Sequence, residues 1–233
     1  MFLRTLAVWA LGLPLTIVSS FVLLLAALAD RTGNSAHSVA AFWCRCILFL
    51  AGVKVRVEGV ERIPGGTPVL FLSNHQGAFD IPALQAALPA QYRWVAKKSL
   101  FKIPLIGWSM YLSGYIGIQR ESAAESYRSM ERAAAKIKGG TSVMIFPEGT
   151  RSDTGRILPM KRGAFVLASK SGVPIVPIAI NGTKEILKRG GFIIRPHEVT
   201  IRIGDPIPTE GVGEKELRPR TREAIEKMFA GMD

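Results

Sequence analysis

Val69-Leu70-Phe71-Leu72-Ser73-Asn74-His75-Gln76-Gly77-Ala78-Phe79-Asp80 reads as a strand that leaves a core, turns, and enters a helix. Four apolar residues in a row make a short strand. A helix begins near Asp80, because Pro82 fits a first turn, where its missing N–H loses no partner. A histidine thus stands at a strand end, five residues before an aspartate. Histidine is suited to take a proton near neutral pH. A carboxylate within reach fixes its tautomer and stabilises the imidazolium that forms. On an unbroken helix residues 75 and 80 would sit roughly 140° apart, so they meet only if the loop folds them together, and Gly77 eases such a turn. Taken alone, the same residues also describe a loop histidine and a helix-capping aspartate. A substrate that brings its own hydroxyl needs no cysteine or serine nucleophile, so the pair points to proton abstraction from a bound alcohol.

Working outward, short β-rich runs alternate with helical ones from residue 54 onward. Strands are predicted at 54–60, 69–73, 93–96, 114–119, 142–146, 175–180 and 199–203. Helices are predicted near 80, at 123–138, at 163–171 ending by Gly172, and at 220–229. This alternation defines an α/β fold, a mainly parallel or mixed sheet flanked by helices. Its functional loops should gather at one edge of the sheet. No internal repeat and no low-complexity tract interrupts it.

The first 53 residues differ. They hold only four charged side chains, Arg4, Asp30, Arg31 and Arg45. Residues 5–29 carry no charge, and at about 1.5 Å per residue such a helix could cross a bilayer core of roughly 30 Å. The run is longer than a signal-peptide apolar region, and Pro14 can kink or break it. A second apolar segment, 39–53, follows a polar link. Trp9, Phe42 and Trp43 suit an interfacial position. The expected organisation is a membrane-associated two-helix hairpin over 1–53 and an α/β domain over 54–233. A hairpin dipping into one leaflet and a first helix that spans the bilayer both remain open.

The chain of 233 residues carries a formal net charge of +12, and 48% of it is apolar, with a mean hydropathy of +0.23. Such a positive excess favours an anionic lipid surface, nucleic acid or a phosphorylated substrate. Nucleic acid fits poorly: aromatics are only 8% of the chain, which leaves no stacking platform, and no helix carries a dense basic stripe. Cys44 and Cys46, at i and i+2, do not face each other on a helix and read as small apolar fillers rather than metal ligands. His37 and His197 read as structural.

Three further blocks end on chemistry. Gly114-Tyr115-Ile116-Gly117-Ile118-Gln119-Arg120 is a strand ending in arginine. In Ile145-Phe146-Pro147-Glu148-Gly149-Thr150-Arg151-Ser152 an apolar strand stops at proline and hands over to Glu148, Gly149 and Arg151. The guanidinium fork matches phosphate oxygens with two donors at once, although either arginine also reads as a solvated strand end. Lys97 and Lys98 close another strand and add positive charge. Gly172-Val173-Pro174-Ile175-Val176-Pro177-Ile178-Ala179-Ile180 reads as a buried strand with an irregular start, or as a pocket wall. The apolar stretch 100–108 reads either as a groove for an acyl chain or as ordinary core.

These four blocks, in this order, resemble the glycerolipid acyltransferase family, in particular its bacterial 1-acylglycerol-3-phosphate acyltransferases of the PlsC type. The resemblance covers roughly residues 70–180, and the two-helix start fits it. An H-x4-D pattern alone is weak; followed by the arginine-ended strand, F-P-E-G-T-R-S and V-P-I-V-P, it is specific. The resemblance implies His75 as general base and Asp80 as the residue that orients it. It implies Arg120, Arg151 and Lys97 as ligands of the acceptor's phosphate, with Glu148 and Gly149 shaping the acceptor site. It further implies acyl transfer from a thioester to the 2-hydroxyl of lysophosphatidic acid at the cytoplasmic face of a membrane, a bacterial inner membrane being expected. No cofactor and no metal are expected, the co-substrate being acyl-coenzyme A or acyl carrier protein. The expected partners are membrane lipids and that donor, with no nucleic acid. The amides of residues 74–77 are candidates for the oxyanion donor that such a reaction needs.

Rival readings are an acyltransferase for another lysophospholipid or glycerol-3-phosphate, and a non-catalytic, membrane-anchored binder of anionic lipid. A hydrolase built on Ser73 or Ser152 is disfavoured, since neither lies in G-x-S-x-G.

Overall fold

The computed structural model describes residues 2–119 and 123–232. Two helices open the chain, α1 (Phe2–Ala29) and α2 (Asn34–Ala51). The α/β region follows as β1 (Lys54–Glu58), β2 (Leu70–Ser73), α3 (Asp80–Ala87), β3 (Tyr92–Lys97), α4 (Ile106–Leu112) and β4 (Ile116–Ile118). It continues with α5 (Ala123–Lys138), β5 (Ser142–Ile145), α6 (Arg162–Ser171), β6 (Ile175–Asn181), α7 (Thr183–Ile186), β7 (Glu198–Ile203) and α8 (Glu214–Ala230). The seven strands form one sheet in the order β1-β7-β6-β2-β5-β3-β4. Every pairing is parallel except β6 with β7. All seven expected strands are present, and the sheet is mixed.

Alternation along the central strands separates two apolar layers. Phe71, Trp94, Met144, Val176 and Ile178 face one side, where α3 and the α1–α2 pair pack. Leu70, Leu72, Val143, Ile145 and Ile175 face the other, against α5, α6 and α8. With both faces covered, β2 is buried at all four positions, which is why it reads as a continuous apolar run.

The chain leaves β2 through α3 toward β3 on one side of the sheet, and leaves β5 through α6 toward β6 on the other. Adjacent parallel strands with opposite connections open a crevice at their C-terminal ends. That crevice lies between β2 and β5, the two strands that precede His75 and Glu148.

Several expectations shift in detail. The α1 helix runs through Pro14 without a break. The last helix starts at Glu214 rather than at residue 220 and takes Pro219 inside it. Leu217 is buried on the same face as Thr221 and Ile225, at i, i+4 and i+8, so burial overrides the single lost backbone bond. The α4 helix was not expected. Most of its large apolar side chains face outward, Trp108 and Tyr111 among them, so it carries no core-forming periodicity. Pro177 sits inside β6 because the ladder to β7 reaches only to Ile178; its carbonyl still accepts from Gly204 N at 2.9 Å.

Among the described residues, α1 is the one helix long and apolar enough to cross a membrane, with a mean hydropathy of 2.3. Its outer face exposes Phe2, Leu3, Leu13, Phe21 and Leu25. Specific polar bonds fasten the helix pair to the α/β region. The Arg93 guanidinium donates to Thr32 O and Asn34 Oδ1 in the turn between the helices. Trp9 Nε1 donates to Phe192 O at 2.8 Å, and Thr5 Oγ1 accepts from Ile194 N at 3.0 Å.

Candidate active site

The loop after β2 folds as the pairing of His75 and Asp80 requires. His75 Nδ1 lies 2.5 Å from Asp80 Oδ2. The same oxygen accepts from Gln76 N at 2.7 Å and Gly77 N at 3.0 Å. Asp80 is the first residue of α3, yet its carboxylate turns back onto the loop and forms no side-chain cap of the helix. The capping alternative is thereby excluded. Asp80 is fully buried, so its charge is satisfied by protein donors alone. An imidazole that donates Nδ1–H to a carboxylate keeps Nε2 as its proton acceptor. The ring stacks on Phe146 at 4.0 Å between centroids and 7° between planes, which fixes its tilt.

Neighbouring strands brace this loop. Asn74, at the end of β2, pairs doubly with Ile180 of β6: its Nδ2 donates to Ile180 O at 2.9 Å, and its Oδ1 accepts from Ile180 N at 2.8 Å. Glu148, just past β5, accepts from His75 N at 2.8 Å through one oxygen and from Leu158 N at 3.0 Å through the other. Burial raises its carboxyl to about 7, and the nearby Asp80 charge adds to the effect. Ser152 N donates to His75 O at 2.8 Å. Gly77 serves by close approach: a Cβ there would lie 2.8 Å from Thr183 O.

These bonds correct one expectation. The amides of His75, Gln76 and Gly77 are already engaged, by Glu148 and Asp80, so they do not supply an oxyanion hole.

A cavity of about 530 Å³ opens at this edge of the sheet. His75, Lys97, Gly149 and Arg151 line it together. Trp94, Phe146, Leu100 and Ile106 supply apolar wall, and Ser19, Ser20 and Trp43 bring in the α1–α2 pair. Of the stretch 100–108, Leu100 and Ile106 therefore face the cavity, while Trp108 faces outward. Asp80 and Glu148 stand behind the lining and act on the wall through His75 and its loop. Lys98 turns away to an exposed ion pair with Glu125 at 3.0 Å. Arg120 lies outside the described residues; β4 ends at Ile118, in register with Lys97. Pro177 lies within β6 and Pro174 just before it, and neither lines the cavity. His37 is buried against the Tyr92 ring, as a structural histidine should be.

Sequence reasoning missed Thr183, whose Oγ1 donates to Asp80 Oδ1. The signal available was Asn181-Gly182-Thr183, a turn at the end of a strand predicted to share the sheet with His75. The stack on Phe146 was equally unforeseen, although Phe146 lies between the strand at 142–145 and Glu148.

A carboxylate-held imidazole at the switch point of an α/β sheet, facing cationic side chains across an apolar cavity, defines a site for a substrate both greasy and anionic. Comparison with known proteins gives the family. Residues 54–181 match the family model named Acyltransferase, and the chain belongs to that family. It is 38% identical over 173 residues to a chloroplastic 1-acyl-sn-glycerol-3-phosphate acyltransferase of Brassica napus, covering 73% of this chain and 50% of that protein. It is 32% identical over 187 residues to the human 1-acyl-sn-glycerol-3-phosphate acyltransferase alpha, covering 78% and 66%. The chain thus spans about half to two thirds of the length of these relatives. The crystal structure of the 1-acyl-sn-glycerophosphate (LPA) acyltransferase PlsC from Thermotoga maritima superimposes with a TM-score of 0.85 at 26% identity, over 97% of this chain and 93% of that one.

Proposed function

We propose that this chain moves a fatty acyl group from an acyl thioester to the 2-hydroxyl of lysophosphatidic acid, giving phosphatidic acid. The observation that carries the reading is His75, bonded to buried Asp80 through Nδ1 and lining the same cavity as Lys97 and Arg151. The acceptor's phosphate is held by Lys97, Arg151 and Arg120, and its free hydroxyl lies beside His75. Nε2 takes the hydroxyl proton as the oxygen bonds to the thioester carbonyl carbon. Asp80 stabilises the imidazolium. The tetrahedral intermediate then collapses, the carbon–sulfur bond breaks, and the thiolate leaves with the proton returned by Nε2. General-base assistance of this kind is typically worth about 10²–10⁴-fold. The acyl donor is acyl-coenzyme A or acyl carrier protein, and no cofactor or metal takes part.

The names of the relatives support the choice of acceptor, and the apolar wall of the cavity supports a lipid. The exposed apolar face of α1 supports work at a membrane surface, and the proposed place is its cytoplasmic face. The test is thiol release from acyl-coenzyme A, and in parallel from acylated acyl carrier protein, by the purified full chain in lipid vesicles. Release is expected with lysophosphatidic acid and not with lysophosphatidylcholine or without acceptor. Equal release with all acceptors would replace the phosphate-monoester specificity with a broader one. No release with either donor type would refute the reading.

A further inference from the structure

We propose that Thr183 is a positioning residue for the His75–Asp80 pair, its hydroxyl fixing the buried carboxylate and setting how strongly it holds the imidazole. The proposal rests on the acyl-transfer reading above and adds a residue outside the four sequence blocks.

The carboxylate of Asp80 has two distinct ends. Oδ2 gathers His75 Nδ1, Gln76 N and Gly77 N, all from the same loop. Oδ1 accepts from Thr183 Oγ1, which comes from a position 103 residues further along. Both residues are fully buried, so neither end is met by solvent. Without the Thr183 hydroxyl, one oxygen of a buried anion would lose the donor seen there.

The backbone holds Thr183 in place. Gly182 has a φ of 92°, and a Cβ there would lie 2.2 Å from Glu198 O, so the turn after β6 closes only with glycine. The Thr183 carbonyl in turn packs on Gly77. One residue therefore touches both the carboxylate and the loop that presents His75.

Two effects follow. A hydrogen bond to Oδ1 prevents the carboxylate from rotating about its own axis, so Oδ2 stays aimed at Nδ1. It also draws charge from the carboxylate, which weakens its pull on the imidazolium. Removing the hydroxyl should loosen the aim of the carboxylate and strengthen its pull on the imidazolium. The other charged or titratable groups near the pair include Glu148 behind the loop, Lys97, Arg151 and Arg189 lining the cavity, Lys184 beside Thr183, and His197 against the Gly182 turn. None of them changes in a Thr183 variant, so a shift reports the hydroxyl.

The experiment compares Thr183→Val with Thr183→Ser in the full chain. Valine keeps the shape without the donor; serine keeps the donor. For valine, kcat should fall about tenfold or more with both KM values within about twofold. The acid limb of its kcat–pH profile should move to higher pH. Serine should restore both. The His75 imidazole, one of three histidines in the chain and assigned by its loss in His75→Ala, should titrate higher in valine by NMR. An unmoved His75 titration, or a fall in kcat that serine does not rescue, overturns the proposal. If valine fails to fold, Thr183→Ala is read in the same way. Failure of the acyl-transfer reading looks different: His75→Ala would then retain wild-type turnover, whatever Thr183 does to the imidazole titration.

Discussion

Two regions of this molecule are held by opposite means. Around the ends of β2, β5 and β6, buried polar groups satisfy one another: Asn74 with Ile180, Glu148 with the amides of His75 and Leu158, and Asp80 with donors on both oxygens. Along α1 and α4 the reverse holds. Phe21, Leu25, Trp108 and Tyr111 stand exposed, each more than half accessible. The first region positions atoms and tolerates little change. The exposed side chains of the second contribute little to the fold and form a greasy surface of the kind that meets a bilayer. Polar bracing and exposed apolar surface are thus separated in space, and the cavity between them draws its wall from both.

The sharpest way to break that contrast is His75→Ala. Acyl transfer should fall by about 10²–10⁴-fold or more, while the circular dichroism spectrum and thermal midpoint stay near wild type. Substantial turnover in that variant would remove the base from the mechanism. Next in size is Asn74→Ala. It strands the N–H and C=O of Ile180 inside the sheet and should cost about 3 kcal/mol of stability, read by denaturant titration. A cost below about 1 kcal/mol would show that the polar braces matter less than the packing around them.

Glu148→Gln should have a smaller effect, and one that depends on pH. Burial raises the carboxyl from 4.5 to about 7, so the native state binds a proton that the unfolded chain has released. That contribution is fully present below pH 4.5 and is lost as the pH rises through about 7. Glutamine does not titrate. The wild-type thermal midpoint should therefore fall relative to the variant's between about pH 5 and about pH 8. A gap that widens in favour of wild type over this range would contradict the raised carboxyl. The smallest effect on the fold is expected from the double substitution Phe21→Ser and Trp108→Ser, within about 0.5 kcal/mol per site. Sedimentation with anionic vesicles should nonetheless show binding weakened about tenfold or more. Unchanged vesicle binding would dissociate that surface from any membrane role.

Much of this was legible because it is local. His75 and Asp80 are five residues apart, and a strand-to-helix transition is enough to fold one onto the other. Lys97 and Arg151 follow strands, and parallel strands deliver their C-terminal ends to a common edge. Thr183 and the stack on Phe146 were not legible, since they depend on β6 and β5 flanking β2, and strand order is not written in local pattern. The amides of residues 75–77 looked available as oxyanion donors for a related reason: their acceptors, Glu148 and Asp80, become known only with the fold. The α4 helix escaped because periodicity reveals a buried face, and this helix turns its large apolar side chains outward.

The segment that leaves β6 begins at Thr183, against Asp80, passes Arg189 at the cavity rim, and reaches Phe192 and Ile194, which bond to Trp9 and Thr5 of α1. It is pinned at both ends, like a strap between the edge of the sheet and the first helix. Shortening the segment between these two anchors should therefore disturb the contact on Asp80 or the bonds to the first helix.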